Sequence, residues 1–248
     1  MKTFVMHYTP NNTRKLLLKK IFEKENFKEI IWVENYDKEV VTYEIYRNNF
    51  RADIIEYQKR VPSHFSPGLY PLKPEEVSLG LKHKTALTFF VSNYTNTECL
   101  FLEDDAIVET NFLEQLEHYM ETLPLDWDVA FIGQAVDKRI PEYKRLPEKY
   151  WYKKDWPADR CTDSILFTKK AASKILNGMN TKGICFPIDH EYSYWFRELN
   201  LNVYWLEPPL VTQGSQCGLF ESFQDPHSRY FNPNMSIRSD IQELINEI

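Results

Sequence analysis

Glycine is scarce in this sequence, with 7 residues in 248. That excludes collagen-like and flexible-linker chains, and it leaves no GxxxxGK or other Gly-rich loop to wrap phosphate in backbone amides. Positive charge is not in excess either. Thirty Lys and Arg face 36 Asp and Glu, a net charge of −6, which argues against a nucleic-acid binder, since counterion displacement needs a cationic footprint. An anionic ligand would need a local basic pocket or a bridging metal. No window approaches the roughly 18 apolar residues of a membrane span. The opening MKTFVMHYTPNNTRK loses its apolar character at His7, too early for a signal peptide. Cys99, Cys161, Cys185 and Cys217 are scattered, with no CxxC or Cys/His ligand spacing, so they read as buried or idle thiols. We therefore expect a soluble, cytoplasmic protein.

What is present is a globular composition, 43% hydrophobic and 27% charged, with an unusual 15% of aromatics. Strand and helix patterns alternate along it. Thr3–His7 reads as a strand, 13–26 as a helix and Glu29–Val33 as a second strand, the opening of a parallel α/β sheet. Residues 35–73 are Tyr- and Arg-rich and end in VPSHFSPGLYPLKP, which reads as an ordered loop. A helix is predicted from Pro74 to Asn93, with Glu75 and Glu76 suited to the positive end of its dipole. The apolar runs ECLFL (98–102), VAFI (129–132), 164–168 and 202–206 read as strands, and 111–123, 169–179, 189–199 and the region near Asp240 as helices. Residues 137–160 read as an irregular flap. With no repeat and no linker, 1–248 is expected to fold as one domain.

The sharpest chemistry is FLEDDAIVE at 101–109. A buried strand running into three carboxylates places them at the carboxyl edge of the sheet, where open α/β folds bind ligands. Glu103 and Asp105 point to one side of an extended chain, so they can share a divalent cation, Mn²⁺ or Mg²⁺. A solvated acidic turn is the alternative. Asp126-Trp127-Asp128 matches Asp-x-Asp more literally, but it precedes its strand and belongs at the opposite edge.

The order of VSLGLKHKTAL (77–87), CLFLEDDAIV (99–108), DWDVAFIG (126–133), TDSILFTKKAASKIL (162–176) and FPIDHEYSYWF (186–196) resembles glycosyltransferase family 25, over about 77–213. That family includes lipooligosaccharide and collagen galactosyltransferases. Lys82 stands where the family's helix carries a serine, beside Gly80 and His83. The resemblance implies a GT-A fold with a mostly parallel central sheet flanked by helices. It also implies a UDP-sugar donor, a divalent cation at Glu103-Asp104-Asp105 with Asp105 the direct ligand, and transfer with inversion. The acceptor would be a glycan or a hydroxylysine-type group, with 1–105 mainly a donor-nucleotide half and 106–248 mainly an acceptor half.

A cation stabilises the charge that develops on the departing diphosphate, which reconciles an acidic protein with an anionic substrate. Lys82 and Arg14 are candidates to add positive charge, and Tyr8 and Thr9, in the turn after the first strand, to contact the nucleotide. Inversion needs a carboxylate base, and Asp189 or Glu191 in PIDHEY is expected to serve, with His190 between them. In VTQGSQCG (211–218) Gln213 and Ser215 are candidates to close the site, and His227 a weaker one. Trp151, Tyr152, Trp156, Tyr192, Tyr194 and Trp195 are candidates to line an acceptor groove by stacking on sugar faces. Two rival readings are a metal-dependent nucleotidyl or phosphoryl transferase and a non-catalytic sugar- or nucleotide-binding module.

Overall fold

The structure is a computed structural model, and it describes residues 1–50, 60, 72–134, 138–158, 160–220 and 237–248. Strand β1 (Lys2–Met6) buries both faces, Phe4 and Val5 being fully enclosed on opposite sides. Helix α1 (Asn12–Lys24) starts where the Asn11 side chain accepts the Arg14 N–H, an N-cap that satisfies one orphan donor of the first turn. Strand β2 (Ile30–Val33) leads to α2 (Tyr43–Asn49) and α3 (Pro74–Asn93). A proline opens α3, where its missing N–H is harmless, and Glu75 and Glu76 follow. Then come β3 (Glu98–Glu103), β4 (Ala106–Val108), α4 (Phe112–Met120), β5 (Val129–Phe131) and β6 (Trp151–Lys154). The chain closes with β7 (Ser164–Thr168), α5 (Lys169–Lys182), α6 (Ile188–Glu198), β8 (Val203–Leu206), β9 (Val211–Gln213) and α7 (Ile241–Asn246).

Seven strands form one sheet in the order β2-β1-β3-β7-β5-β8-β6. β1 is parallel to β2 and β3, and β5 to β8, while β7 is antiparallel to β3 and β5, and β6 to β8. Five of the seven strands thus share one direction, the mostly parallel sheet predicted. Side chains alternate between two packed layers. Phe4, Phe101, Phe131 and Phe167 face α3, α5 and α6 on one side. Val5, Leu100, Leu102 and Leu166 face α1, α4 and α7 on the other. A separate two-stranded ribbon pairs β4 with β9, Ala106 opposite Gln213 and Val108 opposite Val211.

Three elements depart from the sequence expectation. α2 lies in the 35–73 region read without secondary structure, capped by Thr42, which accepts the Ile45 N–H; most of VPSHFSPGLYPLKP falls outside the described residues. The 137–160 flap contributes β6 to the main sheet. The β4–β9 ribbon is made of three-residue strands, shorter than a periodicity argument detects. Five of the six proposed acceptor-groove aromatics, Trp151, Tyr152, Tyr192, Tyr194 and Trp195, are instead core residues no more than 8% exposed. Trp156 is half-buried. All four cysteines are free thiols. Among the described residues, no helix is long and apolar enough to cross a membrane.

Candidate active site

The carboxyl ends of β1 and β3 open into a cleft of about 120 Å³. Glu103, Asp104, Asp105, Tyr8, Arg14, Lys82, Gln213 and Ser215 all line it. The fold brings these predicted residues together from five separate stretches of chain.

The three adjacent carboxylates have three different environments. Asp104 is a clamp. Its Oδ1 accepts from Arg14 Nη1 at 2.8 Å, and its Oδ2 from the Tyr8 N–H at 2.9 Å, with His7 Nδ1 at 3.0 Å. Burial opposes the charge, yet His7, Arg14 and Tyr8 together hold this carboxyl below its ordinary range. Asp104 thus ties the end of β1 and the first turn of α1 to β3, and Arg14 is engaged in positioning it.

Asp105 is 3% exposed and faces the cleft. Its Oδ2 accepts the Ser215 N–H at 3.2 Å and its carbonyl accepts the Gly214 N–H at 2.7 Å, whereas Oδ1 is buried without a partner. Glu103 accepts from the Thr162 hydroxyl. Burial first, then mutual repulsion, pushes the Glu103 carboxyl well up, and burial also raises Asp105 despite the Arg14 charge. Groups raised by repulsion are those whose preference a cation reverses.

Among the described residues, no three His, Cys, Asp or Glu side chains converge as a cation cage. The donor set fits a divalent cation in the partial way that Mg²⁺-like ions accept, one or two carboxylates with phosphate and water completing the shell. The unpartnered Asp105 Oδ1 is the oxygen best placed to do this. Gln213 adds a second, since its buried Oε1 is also unpartnered and the β4–β9 ribbon sets Gln213 opposite Ala106.

The opposite wall is built on β2 and α3. Lys82, 3% exposed, donates to the Asn35 carbonyl and to Asp37 Oδ1, both at 2.8 Å. Asp37 also accepts from the backbone N–H and hydroxyl of Thr9. Burial lowers the Lys82 ammonium while Asp37 opposes the shift. Lys82 and Thr9 therefore shape the wall through Asp37, and Lys82 projects its charge toward Asp104. The Tyr8 hydroxyl donates to Glu39 at 2.6 Å, which with burial pushes its pKa up to about 12. Its ring lines the cleft with the Lys38 ammonium 5.7 Å away.

The two proposed bases separate. Glu191 is fully buried outside the cleft: one oxygen accepts the Cys185 and Phe186 N–H groups at 2.9 and 3.2 Å, the other accepts Trp195 Nε1 at 2.7 Å, and Arg60 lies 3.8 Å away. Burial raises its pKa to about 6. With both oxygens committed, Glu191 organises the start of α6 and is withdrawn as a base. Asp189 is half-buried in the first turn of α6, and its Oδ1 accepts the His190 N–H. Its charge bears on Glu76 and Cys161. The helix begins at Ile188, so Asp189 lies inside it and does not cap it. His227 lies outside the described residues.

Sequence reasoning missed Asp37 and Asp163. Asp163 is fully buried, its carbonyl accepts the Glu103 N–H at 3.0 Å, and its Oδ2 accepts the Ser164 hydroxyl at 3.1 Å while Oδ1 has no partner. Burial foremost, with Asp105 adding, raises its pKa to about 7. Gly133 makes room for it: a Cβ there would lie 1.8 Å from Asp163 Oδ2. Asp126 and Asp128 sit at the far edge as expected, where Asp126 accepts from Tyr204 and Asn202, and Asp128 from the Asn202 N–H.

No protein-family model and no curated protein matches this sequence. Solved structures that resemble it in chain course include the galactosyltransferase LgtC in complex with donor and acceptor sugar analogs (TM-score 0.47, 9% identity, 100% of this chain and 96% of that one). Others are A197 from STIV (0.44, 11%, 85% and 83%) and mouse xyloside xylosyltransferase 1 (0.42, 11%, 83% and 84%).

Proposed function

We propose that the chain is a GT-A-type glycosyltransferase that holds a UDP-hexose in the cleft and transfers galactose or glucose to a carbohydrate, hydroxylated or glycosylated acceptor. The observation that carries this reading is the unpartnered Asp105 Oδ1 at the carboxyl edge of β3, in a cleft that Glu103, Asp104 and Asp105 line together. A divalent cation held by Asp105, with Glu103 beside it and Gln213 across the ribbon, supplies Lewis-acid stabilisation of the leaving diphosphate when bound.

The chain's own residues do the rest. Asp104, through Arg14, His7 and the Tyr8 N–H, fixes the turn after β1 against the acidic cluster, so the nucleotide wall and the cation ligands keep one geometry. Tyr8 offers a ring whose hydroxyl is tethered by Glu39, a platform for a flat base. Asp37 holds Thr9 and Lys82 in place behind it. Asp189, half-buried in the first turn of α6 with Oδ1 accepting the His190 N–H, is the base that takes the acceptor hydroxyl proton in an inverting transfer. The donor half reaches beyond residue 105, because Gln213 and Ser215 return to it from the end of the chain.

The test is UDP binding by calorimetry with and without Mn²⁺, followed by UDP release from a panel of UDP-sugars. Mn²⁺-dependent binding and donor turnover are expected, and Asp105→Ala should abolish both. Full activity in that variant would remove the ligand assignment. Absence of UDP binding and of turnover with every donor would refute the function.

A further inference from the structure

The 138–150 segment runs against the charge of the chain. It carries five Lys and Arg against two glutamates, in a protein of net charge −6; Arg139 and Arg145 pair with the buried Glu207, so the outward positive charge rests on the lysines. It also lies on the same edge of the sheet as the cleft: β6 is antiparallel to β8, with Trp151 opposite Leu206, the last residue of β8. Residues that lead into β6 therefore arrive from the carboxyl edge.

This segment is firmly built. The Ile140 N–H donates to Glu207 at 3.0 Å, Arg145 Nε to the Ile140 carbonyl at 2.7 Å, and the Leu146 N–H to the Tyr152 hydroxyl at 2.8 Å. Trp151 Nε1 reaches the Tyr119 carbonyl at 2.7 Å. Upon this support Tyr143 is 82% exposed and Leu146 60% exposed. Lys144 and Lys149 beside them are exposed too, and their ammonium groups lie over the Tyr143 and Tyr152 rings at 5.7 and 5.0 Å. Single exposed apolar residues need no explanation. Here an aromatic and a leucine are held outward on one anchored loop, between lysines, at the edge that carries the cleft.

We propose that this loop docks the protein on an anionic lipid bilayer, with Tyr143 and Leu146 entering the interfacial region and Lys144 and Lys149 facing the headgroups. Tyrosine suits that depth because its ring is apolar and its hydroxyl is wet. Lysine stems cover apolar surface while their charges stay in water, and each basic residue near an anionic surface adds to the attraction. Two apolar anchors and a few charges give reversible, salt-sensitive association, far from the permanence of a spanning helix. Docking would present the cleft to substrates at the membrane surface.

The experiment is co-sedimentation of the full chain with vesicles of phosphatidylcholine alone or mixed with phosphatidylglycerol, over a salt series. Binding to the anionic vesicles that weakens as salt rises is expected, with about a tenfold or greater loss for the Lys144→Gln/Lys149→Gln variant. A comparable loss is expected for Tyr143→Ser/Leu146→Ser. Nucleotide binding in solution should be unchanged in both variants, since none of these side chains lines the cleft. Equal partition to both vesicle types, no partition at all, or wild-type partition of the lysine variant would overturn the proposal. Retention on heparin without vesicle binding would overturn it in favour of a soluble polyanion.

Discussion

Gly133→Ala tests how tightly the floor behind the acidic cluster is packed. The new Cβ would lie 1.8 Å from Asp163 Oδ2, 2.8 Å from Asp163 Cγ and 2.4 Å from Ser164 Oγ. Non-bonded heavy atoms do not approach so closely, so the carboxylate has to move. Asp163 is fully buried beside β3, and its backbone is tied to Glu103, so little space exists to receive it. Overpacking of this kind costs about 1–3 kcal/mol, and the number of overlaps places this case at about 3. For a chain of this length that corresponds to a fall in Tm of about 6–12 °C. Urea unfolding of four proteins closes the cycle: wild type, Gly133→Ala, Asp163→Ala and the double variant. Asp163→Ala removes an unpartnered oxygen but leaves the buried Ser164 hydroxyl without its acceptor, so on its own it is expected to cost about 1–2 kcal/mol. Because it also removes two of the three overlapping atoms, the double variant should be about 2 kcal/mol more stable than the sum of the two losses. If Gly133→Ala unfolds within about 0.5 kcal/mol of wild type, or if the two effects simply add, the packing argument fails.

Asp104 and Asp105 should part company when mutated. Asp104→Ala removes the carboxylate that joins the buried His7 and Arg14 to the end of β3, and should destabilise by about 3 kcal/mol in denaturant unfolding; Asp105→Ala should leave stability within about 1 kcal/mol while eliminating Mn²⁺-dependent UDP binding. Glu191 predicts a pH dependence. Its carboxyl titrates at about 6 in the fold against an ordinary 4.5, so the folded state binds the proton more tightly. The stability it contributes is full below about 4.5 and is lost as pH rises through about 6, roughly 2 kcal/mol in all. Glu191→Gln should flatten that slope in urea midpoints measured across this range. Arg160 is fully buried and donates to Glu207, Leu206 and Lys138. Arg160→Met strands Glu207 less completely than a lone charge, because Arg139 remains bound to it, and should lower stability by about 2–3 kcal/mol in thermal unfolding.

Much of this site is legible in the sequence because it depends on one strong local signal. An apolar strand that stops at carboxylates marks the carboxyl edge, and the turn after β1 belongs to that edge as soon as β1 and β3 are parallel. The same reasoning breaks down at β7. Asp126 and Asp163 both precede strands, and a reader who assumes parallel strands sends both to the far edge. β7 is antiparallel to β3, so Asp163 lies at the near edge against Glu103 while Asp126 does not. Strand direction is a long-range property, and no residue near Asp163 encodes it. Glu191 misleads for another reason: PIDHEY has the composition of a reactive segment, but Trp195 one turn later and the bend at Cys185 and Phe186 consume its oxygens. The aromatics mislead likewise, since most of them satisfy the core before any surface is built.

The β4–β9 ribbon has a consequence for how the site comes into being. Asp105 and Ser215 meet across 110 positions of chain, and closing so long a loop is slow compared with forming the local helices. A chain that emerges in order has its acidic cluster long before it has the Ser215 amide and the Gln213 carbonyl that complete the cleft. A fragment ending before residue 211 would carry every carboxylate of the site and still lack the wall beside Asp105. On the proposed function, nucleotide affinity would be a late event in maturation, and its appearance would report that the stretches around residues 105 and 215 have met.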